Sequence, residues 1–208
     1  PGDEVLVLEP FYTNYNTFAF MNGLTLKAIS TDIKNGFQVP PIEEFEKAIT
    51  DKTKAILVCN PGNPTGTQYS KESMLALGEI ARKHDLFLLS DEVYREFCYT
   101  DEPHFSAMQI PGLEQNVILI DSVSKRYNLC GARIGCIVSH NKDVMAAAMK
   151  FAQARLCPPV LGQMASIGAL DTPDEYFDAV KEEYIKRRDF MIEGLNKIEG
   201  VFTPLPMG

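Results

Sequence analysis

Short apolar runs alternate with helical patterns along most of the chain, and this alternation constrains the fold more than any other feature. Runs such as Glu4–Leu8, Ala55–Cys59 and Val117–Ile120 lack the alternation of apolar and polar residues that is typical of a strand with one exposed face. Strands buried on both faces have this pattern, and they occur in parallel sheets whose connecting helices cover both sides. The sequence therefore predicts an α/β fold with three layers, α/β/α, around a mostly parallel sheet.

The remaining elements follow the same alternation until the composition shifts to helix after Ser139. Further strands are predicted at Leu24–Ile29 and Leu86–Leu89, and helices at Tyr12–Met21, Ile42–Ile49, Ser70–His84, Lys142–Leu156, after Pro159, and from Pro173 to about Ile198. The last helix is long enough to leave the sheet. We therefore predict a large domain over residues 1–172, and a linking helix with the start of a second domain over residues 173–208.

Composition excludes several classes of protein. The 208 residues carry a net charge of −8 with the two signs intermixed, which argues against a nucleic-acid surface or a membrane-binding patch, and no apolar stretch has membrane-spanning length. The five cysteines include no CxxC pair, and most lie in apolar runs. We predict reduced core thiols in a cytoplasmic protein, and no metal site, because the three histidines are isolated.

Polar side chains stand where three of the predicted strands end. Asn63 follows the strand that ends at Cys59, Asp91 and Tyr94 follow the next strand, and Lys125 follows the third in the segment SVSKRYNLCGARIG. The carboxyl ends of neighbouring parallel strands meet at one edge of a sheet, where open α/β folds bind their ligands. We therefore expect these side chains to converge.

The converging groups suit one ligand chemistry. A lysine amine that is partly desolvated has a lowered pKa and can form a Schiff base with an aldehyde. A buried carboxylate such as Asp91 needs a cationic partner, which a protonated pyridine nitrogen provides. The Ser122 hydroxyl and the Arg133 guanidinium can hold a phosphate. Aldehyde, pyridine nitrogen and phosphate together indicate pyridoxal 5'-phosphate.

Each assignment has a structural alternative. Asn63 can simply form a turn, and Asp91 and Tyr94 can be a helix cap and a packed phenol. Arg95 and Arg126 are interpreted as solvated or structural charges. The NPGNPTG segment lacks the GK[ST] ending of a phosphate-binding P-loop, and nothing matches GxGxxG, so nucleotide binding is the weaker hypothesis.

Four motifs, EPFYTNY, NPGNPTG, SDEVYREF and SVSKRYNLCGARIG, occur in this order. In order and spacing the chain resembles the class I and II aminotransferases of pyridoxal-phosphate fold type I, so the sheet domain would be the cofactor-binding large domain of such an enzyme. The resemblance implies roles for seven residues: Lys125 as the Schiff-base lysine, Asp91 as the partner of the pyridine nitrogen, Tyr94 and Asn63 as partners of the phenolate oxygen, Ser122 and Arg133 as phosphate ligands, and Tyr12 as the aromatic residue that stacks on the ring.

The resemblance also implies an activity. The family transfers an amino group between an amino acid and a 2-oxo acid, most often aspartate and 2-oxoglutarate, with Lys125 as general base and with Tyr94 and Asp91 at the catalytic centre, and it forms homodimers. Arg155 lies near a region that the family places at the dimer interface, where it can pair with a distal substrate carboxylate, although a helix-surface role is the simpler interpretation. A lyase or synthase of the same fold, and a regulator with a non-catalytic aminotransferase-like domain, are the alternatives.

The ends of the chain depart from the family pattern. Pro1 is not an initiator Met, the family's N-terminal segment would precede it, and the arginine that binds the substrate α-carboxylate would follow Gly208. We expect a parent open reading frame of about twice this length. We also expect the 208-residue chain alone to bind the cofactor weakly and to be inactive.

Overall fold

A six-stranded sheet forms the centre of the computed structural model, which describes residues 1–208. The strand order is β2-β1-β3-β4-β5-β6; the first five strands are parallel and β6 is antiparallel to β5. This arrangement confirms the predicted fold class. The strands are β1 (Glu4–Glu9), β2 (Thr25–Ser30), β3 (Thr53–Cys59), β4 (Phe87–Asp91), β5 (Val117–Ser122) and β6 (Gly135–Val138).

Seven α-helices connect and follow the strands. Six of them agree with the sequence prediction, with end residues that differ by a few positions, whereas the short helix after β5 was not predicted. Asp91 closes β4 where the prediction placed it just beyond the strand. The helices are α1 (Asn14–Met21), α2 (Ile42–Ala48), α3 (Lys71–Lys83), α4 (Val123–Arg126), α5 (Lys142–Arg155), α6 (Val160–Ala169) and α7 (Asp174–Leu195), and 3-10 turns lie at Ile33–Asn35, Ala107–Gln109 and Cys130–Ala132.

The central strands bury both of their faces, which explains their unbroken apolar sequences. In β1, Leu6 and Leu8 belong to a large core cluster that α2 and α3 cover. Val5 and Val7 point to the opposite face and pack in a smaller cluster with Tyr15 of α1. Because successive strand residues face opposite sides of a sheet, only strands covered on both sides need apolar residues at every position.

Helix α3 shows how the sequence sets the position of a layer. Ser70 caps it, since the Ser70 Oγ accepts a hydrogen bond from the Ser73 N–H at 3.2 Å. Leu77 is fully buried, and burial of such a side chain stabilises the fold by about 1.5–3 kcal/mol. At Gly78 an added Cβ would lie 2.7 Å from the Ile110 side chain, so the glycine permits close packing here. The helix thereby holds the neighbouring strands β3 and β4 in place.

Helices α5, α6 and α7 follow the sheet and bury far less of their surface. Gly162 is the one buried residue among them, and large apolar side chains such as Phe151 and Leu161 are exposed. The division of the chain into residues 1–172 and 173–208 stays a prediction. No helix in the chain combines the length and the apolar character needed to cross a bilayer.

The cysteines correct one expectation. Cys98 is buried and Cys59 is half-buried, but Cys130, Cys136 and Cys157 are exposed. The prediction of core thiols is therefore wrong for these three. Cys136 lies on β6, which is exposed along its whole length although its sequence is as apolar as that of a buried strand.

Candidate active site

The loop that follows β3 presents Asn63 to the edge of the sheet. Its base is fixed by the fully buried Asn60, whose Oδ1 accepts a hydrogen bond from the Tyr69 N–H at 2.9 Å. Gly66, at φ +64°, closes the turn, and its N–H donates to the Gly62 carbonyl at 2.8 Å. The loop is thus held at both ends by hydrogen bonds, and it directs the Asn63 amide towards the neighbouring strand end.

The end of β4 supplies Tyr94, which meets Asn63 as predicted. The Asn63 Nδ2 lies 3.5 Å from the Tyr94 hydroxyl, a long hydrogen bond between residues 31 positions apart. The Tyr94 ring packs edge-on against Phe97 at 6.3 Å between centroids. Amide and phenol are therefore brought to one point by two different strand ends.

Lys125 completes this group from the end of β5. It lies on the four-residue helix α4, which Ser122 caps by accepting a hydrogen bond from the Ser124 N–H at 3.1 Å. The Lys125 Nζ lies 5.5 Å from the centroid of the Tyr94 ring, within the range of a cation–π contact. The side chain is exposed in this chain, whereas the sequence analysis predicted partly desolvated surroundings. The amine, the phenol and the amide nonetheless converge.

These three side chains line one cavity. Its volume is about 510 Å³, and its walls come from the loop after β3, the turn after β4, the loop after β5 and the C-terminal part of the chain. Tyr184 of α7 and Pro206 contribute the last wall. The Met207 N–H donates to the Gly66 carbonyl at 2.6 Å, and a Cβ on Gly66 would lie 2.6 Å from Pro206, so only glycine lets the chain end dock here. A cavity of this size suits a cofactor or a small substrate.

Asp91 does not line this cavity. Its Oδ2 accepts a hydrogen bond from the Tyr15 hydroxyl at 2.7 Å, and its Oδ1 accepts one from the Val93 N–H at 3.3 Å. Burial raises the pKa of Asp91, and these two hydrogen bonds offset only part of that effect. No lysine, arginine or histidine forms a salt bridge with it. A half-buried carboxylate thus lacks a cationic partner.

Tyr15 is the residue that the sequence analysis missed. It is buried in the first turn of α1, and burial raises the pKa of its phenol, as do the nearby Cys59 and Asp91. Its partner Asp91 lies 76 positions away. The available signal was its position three residues after Tyr12 in the EPFYTNY motif, because residues three apart at a helix start share a face. The Tyr12 and Tyr15 rings pack edge-on at 5.5 Å between centroids.

Three further predicted site residues, Tyr12, Ser122 and Arg133, each form a hydrogen bond with a neighbouring group. Tyr12 follows β1, 38% exposed, and its hydroxyl accepts a hydrogen bond from Asn14 at 2.8 Å. The Ser122 Oγ donates to the Ile134 carbonyl at 2.8 Å. The Arg133 side chain is exposed and donates to a carbonyl of its own loop, that of Cys130, at 2.8 Å. None of these three predicted residues lines the cavity.

Arg155 lies outside the cavity. It is the last residue of α5, is exposed, and does not line the cavity. No salt bridge to it is present within the 208 residues. Its role towards a distal substrate carboxylate stays a prediction.

Comparison with known proteins identifies the family of this chain. Residues 1–207 match the family model of aminotransferase class I and II. The chain belongs to that family. Its sheet is the mostly parallel large-domain sheet of the fold type I aminotransferases.

Two sequence relatives illustrate the match. The putative aminotransferase YugH of Bacillus subtilis is 35% identical over 200 residues, which make up 95% of this chain and 51% of that protein. The aspartate/prephenate aminotransferase of Thermus thermophilus is 33% identical over 211 residues, 100% of this chain and 54% of that protein. The chain thus spans about half the length of the curated relatives that it matches.

Solved structures give the same family with differing substrate names. A mutant aspartate aminotransferase of Thermus thermophilus superposes with a TM-score of 0.92 at 32% identity, over 100% of this chain and 57% of that chain. The alanine aminotransferase of Pyrococcus furiosus gives 0.89 at 34% identity, over 100% and 53%. The aromatic aminotransferase of Pyrococcus horikoshii gives 0.92 at 29% identity, over 100% and 55%. Aspartate, alanine and aromatic enzymes therefore share this scaffold.

Proposed function

We propose that this chain is the cofactor-binding part of a pyridoxal-phosphate-dependent aminotransferase that moves an amino group between an amino acid and a 2-oxo acid. The observation that carries the proposal is the convergence of Lys125, Tyr94 and Asn63 at one cavity in a member of the class I and II family. Aspartate is the proposed amino donor, because several relatives are aspartate or aspartate/prephenate aminotransferases.

The donor set fits the proposed cofactor on one side of the cavity. The Lys125 amine is the nucleophile that an aldehyde requires, and it is the only lysine that lines the cavity. The Tyr94 hydroxyl and the Asn63 amide, 3.5 Å apart, can both donate to a ring oxygen. These three residues would hold the aldehyde end of the ligand.

Asp91 fits the other polar atom of the ring. Its carboxylate accepts hydrogen bonds from Tyr15 and Val93 and lacks a cation, so it would hold the proton of a pyridine nitrogen and gain the charge partner that the chain does not supply. In this proposal Tyr15 orients the carboxylate, because its hydroxyl fixes one of the two oxygens.

For the phosphate, the proposed ligands are Ser122 and Arg133. Both side chains now donate to carbonyls of their own loop, those of Ile134 and Cys130, and would exchange these neutral acceptors for an anion. A hydrogen bond to a charged acceptor is about twice as strong as one to a neutral acceptor, which favours the exchange. Tyr12, at the end of β1, is the proposed stacking partner of the ring.

The catalytic roles follow from these positions. When bound, pyridoxal phosphate supplies an aldehyde and an electron-accepting ring. Lys125 would bind that aldehyde, release it to the incoming amino acid, and then take the proton from the substrate Cα as general base. Asp91 would keep the ring nitrogen protonated, and the buried position of its carboxylate strengthens that charge interaction.

The proposal includes a homodimer in the cytoplasm. Exposed apolar side chains on α5 and α6, among them Phe151, Leu161 and Met164, support an arrangement in which a further part of the protein covers this surface. Arg155, at the end of α5, is the proposed contact to a distal substrate carboxylate.

The test is borohydride trapping in the whole protein. Reduction of the cofactor-loaded enzyme should fix the ligand to one lysine, and peptide mass spectrometry should place it on Lys125. Lys125→Ala should abolish both the adduct and turnover, because no other lysine lines the cavity. Lys54→Ala, which removes an exposed lysine that donates to the Asp51 carbonyl, is the matched control and should keep both.

A reducible adduct that persists in Lys125→Ala would reject the assignment. Product analysis with aspartate and 2-oxoglutarate separates transamination from the lyase and regulator alternatives. Glutamate and oxaloacetate in equal amounts support transamination, whereas eliminated or decarboxylated products, or binding without turnover, would reject it.

A further inference from the structure

Four charged side chains link the loop that carries Lys125 to the turn that carries Tyr94. Arg126 follows Lys125 directly, and its NH2 group donates to the Asp121 Oδ2 at 2.8 Å. The Arg126 Nε lies 2.7 Å from the Glu96 Oε1, although its N–H does not point at that oxygen. Arg95 adds a second contact to each carboxylate, at 3.5 and 3.3 Å.

The centre of this cluster is shielded from water. The Arg126 and Asp121 side chains are 12% and 10% exposed, whereas the partners of an ordinary surface pair such as Lys197 and Glu193 are 70% exposed. Burial lowers the pKa of Arg126, but the carboxylates of Glu96 and Asp121 outweigh that effect and raise it overall. An exposed pair contributes little, whereas removal of one partner from a shielded pair leaves an uncompensated charge behind.

Side chains, and not backbone hydrogen bonds, set the distance between the two loops. The Glu92 N–H donates to the Ile120 carbonyl at 2.9 Å, and beyond this point residues 93–99 and 121–134 share no backbone hydrogen bond. Helix α4 has only four residues, too few to be stable by itself. Arg126 spans the gap, because one of its carboxylate partners lies on each side.

We propose that Arg126, held between Asp121 and Glu96, is a positioning residue that fixes the Lys125 amine over the Tyr94 ring. The inference rests on the proposed function, in which those two groups act on the same ligand. From the sequence alone, Arg126 was interpreted as a solvated or structural charge. The structure assigns it a position between the two catalytic segments, and a small displacement of a reacting group is costly to the rate.

Arg126→Met in the whole protein tests the inference, because methionine keeps much of the aliphatic stem and removes the charge. We expect kcat to fall about tenfold or more with KM within about twofold, since positioning acts on the reaction step more than on binding. Arg126→Lys should recover part of the loss. Lys47→Met, which breaks the exposed pair with Glu44, is the control and should leave kcat unchanged.

A second measurement does not depend on the cofactor. In the cofactor-free whole protein, Arg126→Met should accelerate amide hydrogen exchange severalfold in peptides that cover residues 93–98 and 123–129, and not in β1 or α3. Unchanged kcat and unchanged exchange would overturn the inference, and so would a uniform loss of stability that Arg126→Lys does not relieve. Failure of borohydride to label Lys125 in the wild type would instead reject the proposed function, while the exchange data still report on the ion pairs.

Discussion

Asp91 and Glu92 are adjacent carboxylates at the end of β4, and their surroundings are opposite. Glu92 is completely buried and accepts hydrogen bonds from the Ser90 and Ser106 hydroxyls and from the Ala107 N–H at 2.9–3.0 Å, and it pairs with His104 at 2.9 Å. Asp91 has one hydroxyl and one long backbone contact, and no cation. Successive residues of a strand face opposite sides of the sheet, so one step along the chain separates a structural site from a candidate catalytic one.

The difference appears in the two pKa values. Burial raises the pKa of both carboxyl groups, but the contacts of Glu92 with His104 and the Ala107 N–H outweigh burial and leave its pKa below the usual 4.5. For Asp91 burial wins and the pKa is raised. A carboxylate with all its partners supplied by the protein stabilises the fold, whereas one without them is available to bind a charged ligand.

Among variants of these two carboxylates and of Tyr15, Asp91→Asn should cause the largest loss of turnover. We expect turnover of the whole enzyme to fall about 10²- to 10³-fold, the range found when one preorganised catalytic group is removed. Asparagine retains the shape and can still accept the Tyr15 hydrogen bond, so the loss reports on charge. Steady-state kinetics checks the expectation, and near-normal turnover would contradict the proposed role of Asp91.

The melting temperature of Asp91→Asn also distinguishes a catalytic role of Asp91 from a structural one. A raised folded-state pKa means that the contribution of Asp91 to stability is complete below its unfolded pKa and is lost as the pH rises through the folded pKa. At neutral pH the ionised form therefore costs free energy in the cofactor-free protein. Asp91→Asn should keep or raise the melting temperature there, and a marked drop would show that Asp91 is structural.

Glu92→Gln should reduce stability and not turnover, the reverse of Asp91→Asn. The amide places an N–H₂ group among hydrogen-bond donors in a fully buried site, so we expect a loss of about 2–3 kcal/mol in the free energy of unfolding. Turnover per folded molecule should change little. Urea denaturation and active-site titration together measure both quantities, and the exposed Glu114→Gln, which also contacts a backbone N–H, is the control.

The acid dependence of stability in Glu92→Gln tests whether the pKa of Glu92 is lowered in the folded protein. Because the folded-state pKa of Glu92 is lowered, its stabilisation is present above the usual value of 4.5 and disappears as the pH falls towards the folded pKa. The wild type should lose stability over that interval more steeply than Glu92→Gln does. Parallel slopes for the two proteins would show that Glu92 is not stabilised in its ionised form.

Tyr15→Phe should give the smallest effect. It removes the hydroxyl that bonds Asp91 at 2.7 Å and leaves the ring in its core cluster. We expect a loss of about 1 kcal/mol in catalysis, roughly fivefold in kcat, and a further rise in the pKa of Asp91, since that hydrogen bond lowers it. The pH profile of the enzyme measures the shift, and an unchanged profile and rate would remove Tyr15 from the site.

Much of the architecture followed from local pattern. The unbroken apolar strands predicted a sheet covered on both faces, and Ser70 predicted the start of α3, because these signals depend on neighbours in sequence. The strand ends also predicted that Asn63, Tyr94 and Lys125 meet, since parallel strands align their carboxyl ends. The exposure of β6 and of three cysteines was not predictable, because an apolar run reads the same whether or not another segment covers it.

By itself, then, the sequence determined the order of strands and helices, the placement of the polar loops and the family motifs. Only the tertiary structure decided which groups share partners: Tyr15 with Asp91, His104 with Glu92, and Arg126 with both Asp121 and Glu96. Helical and strand periodicities are set by residues a few positions apart, whereas Tyr15 and Asp91 are 76 positions apart. A contact at that separation depends on how whole layers pack, and the same packing left Asp91 uncompensated beside the fully satisfied Glu92.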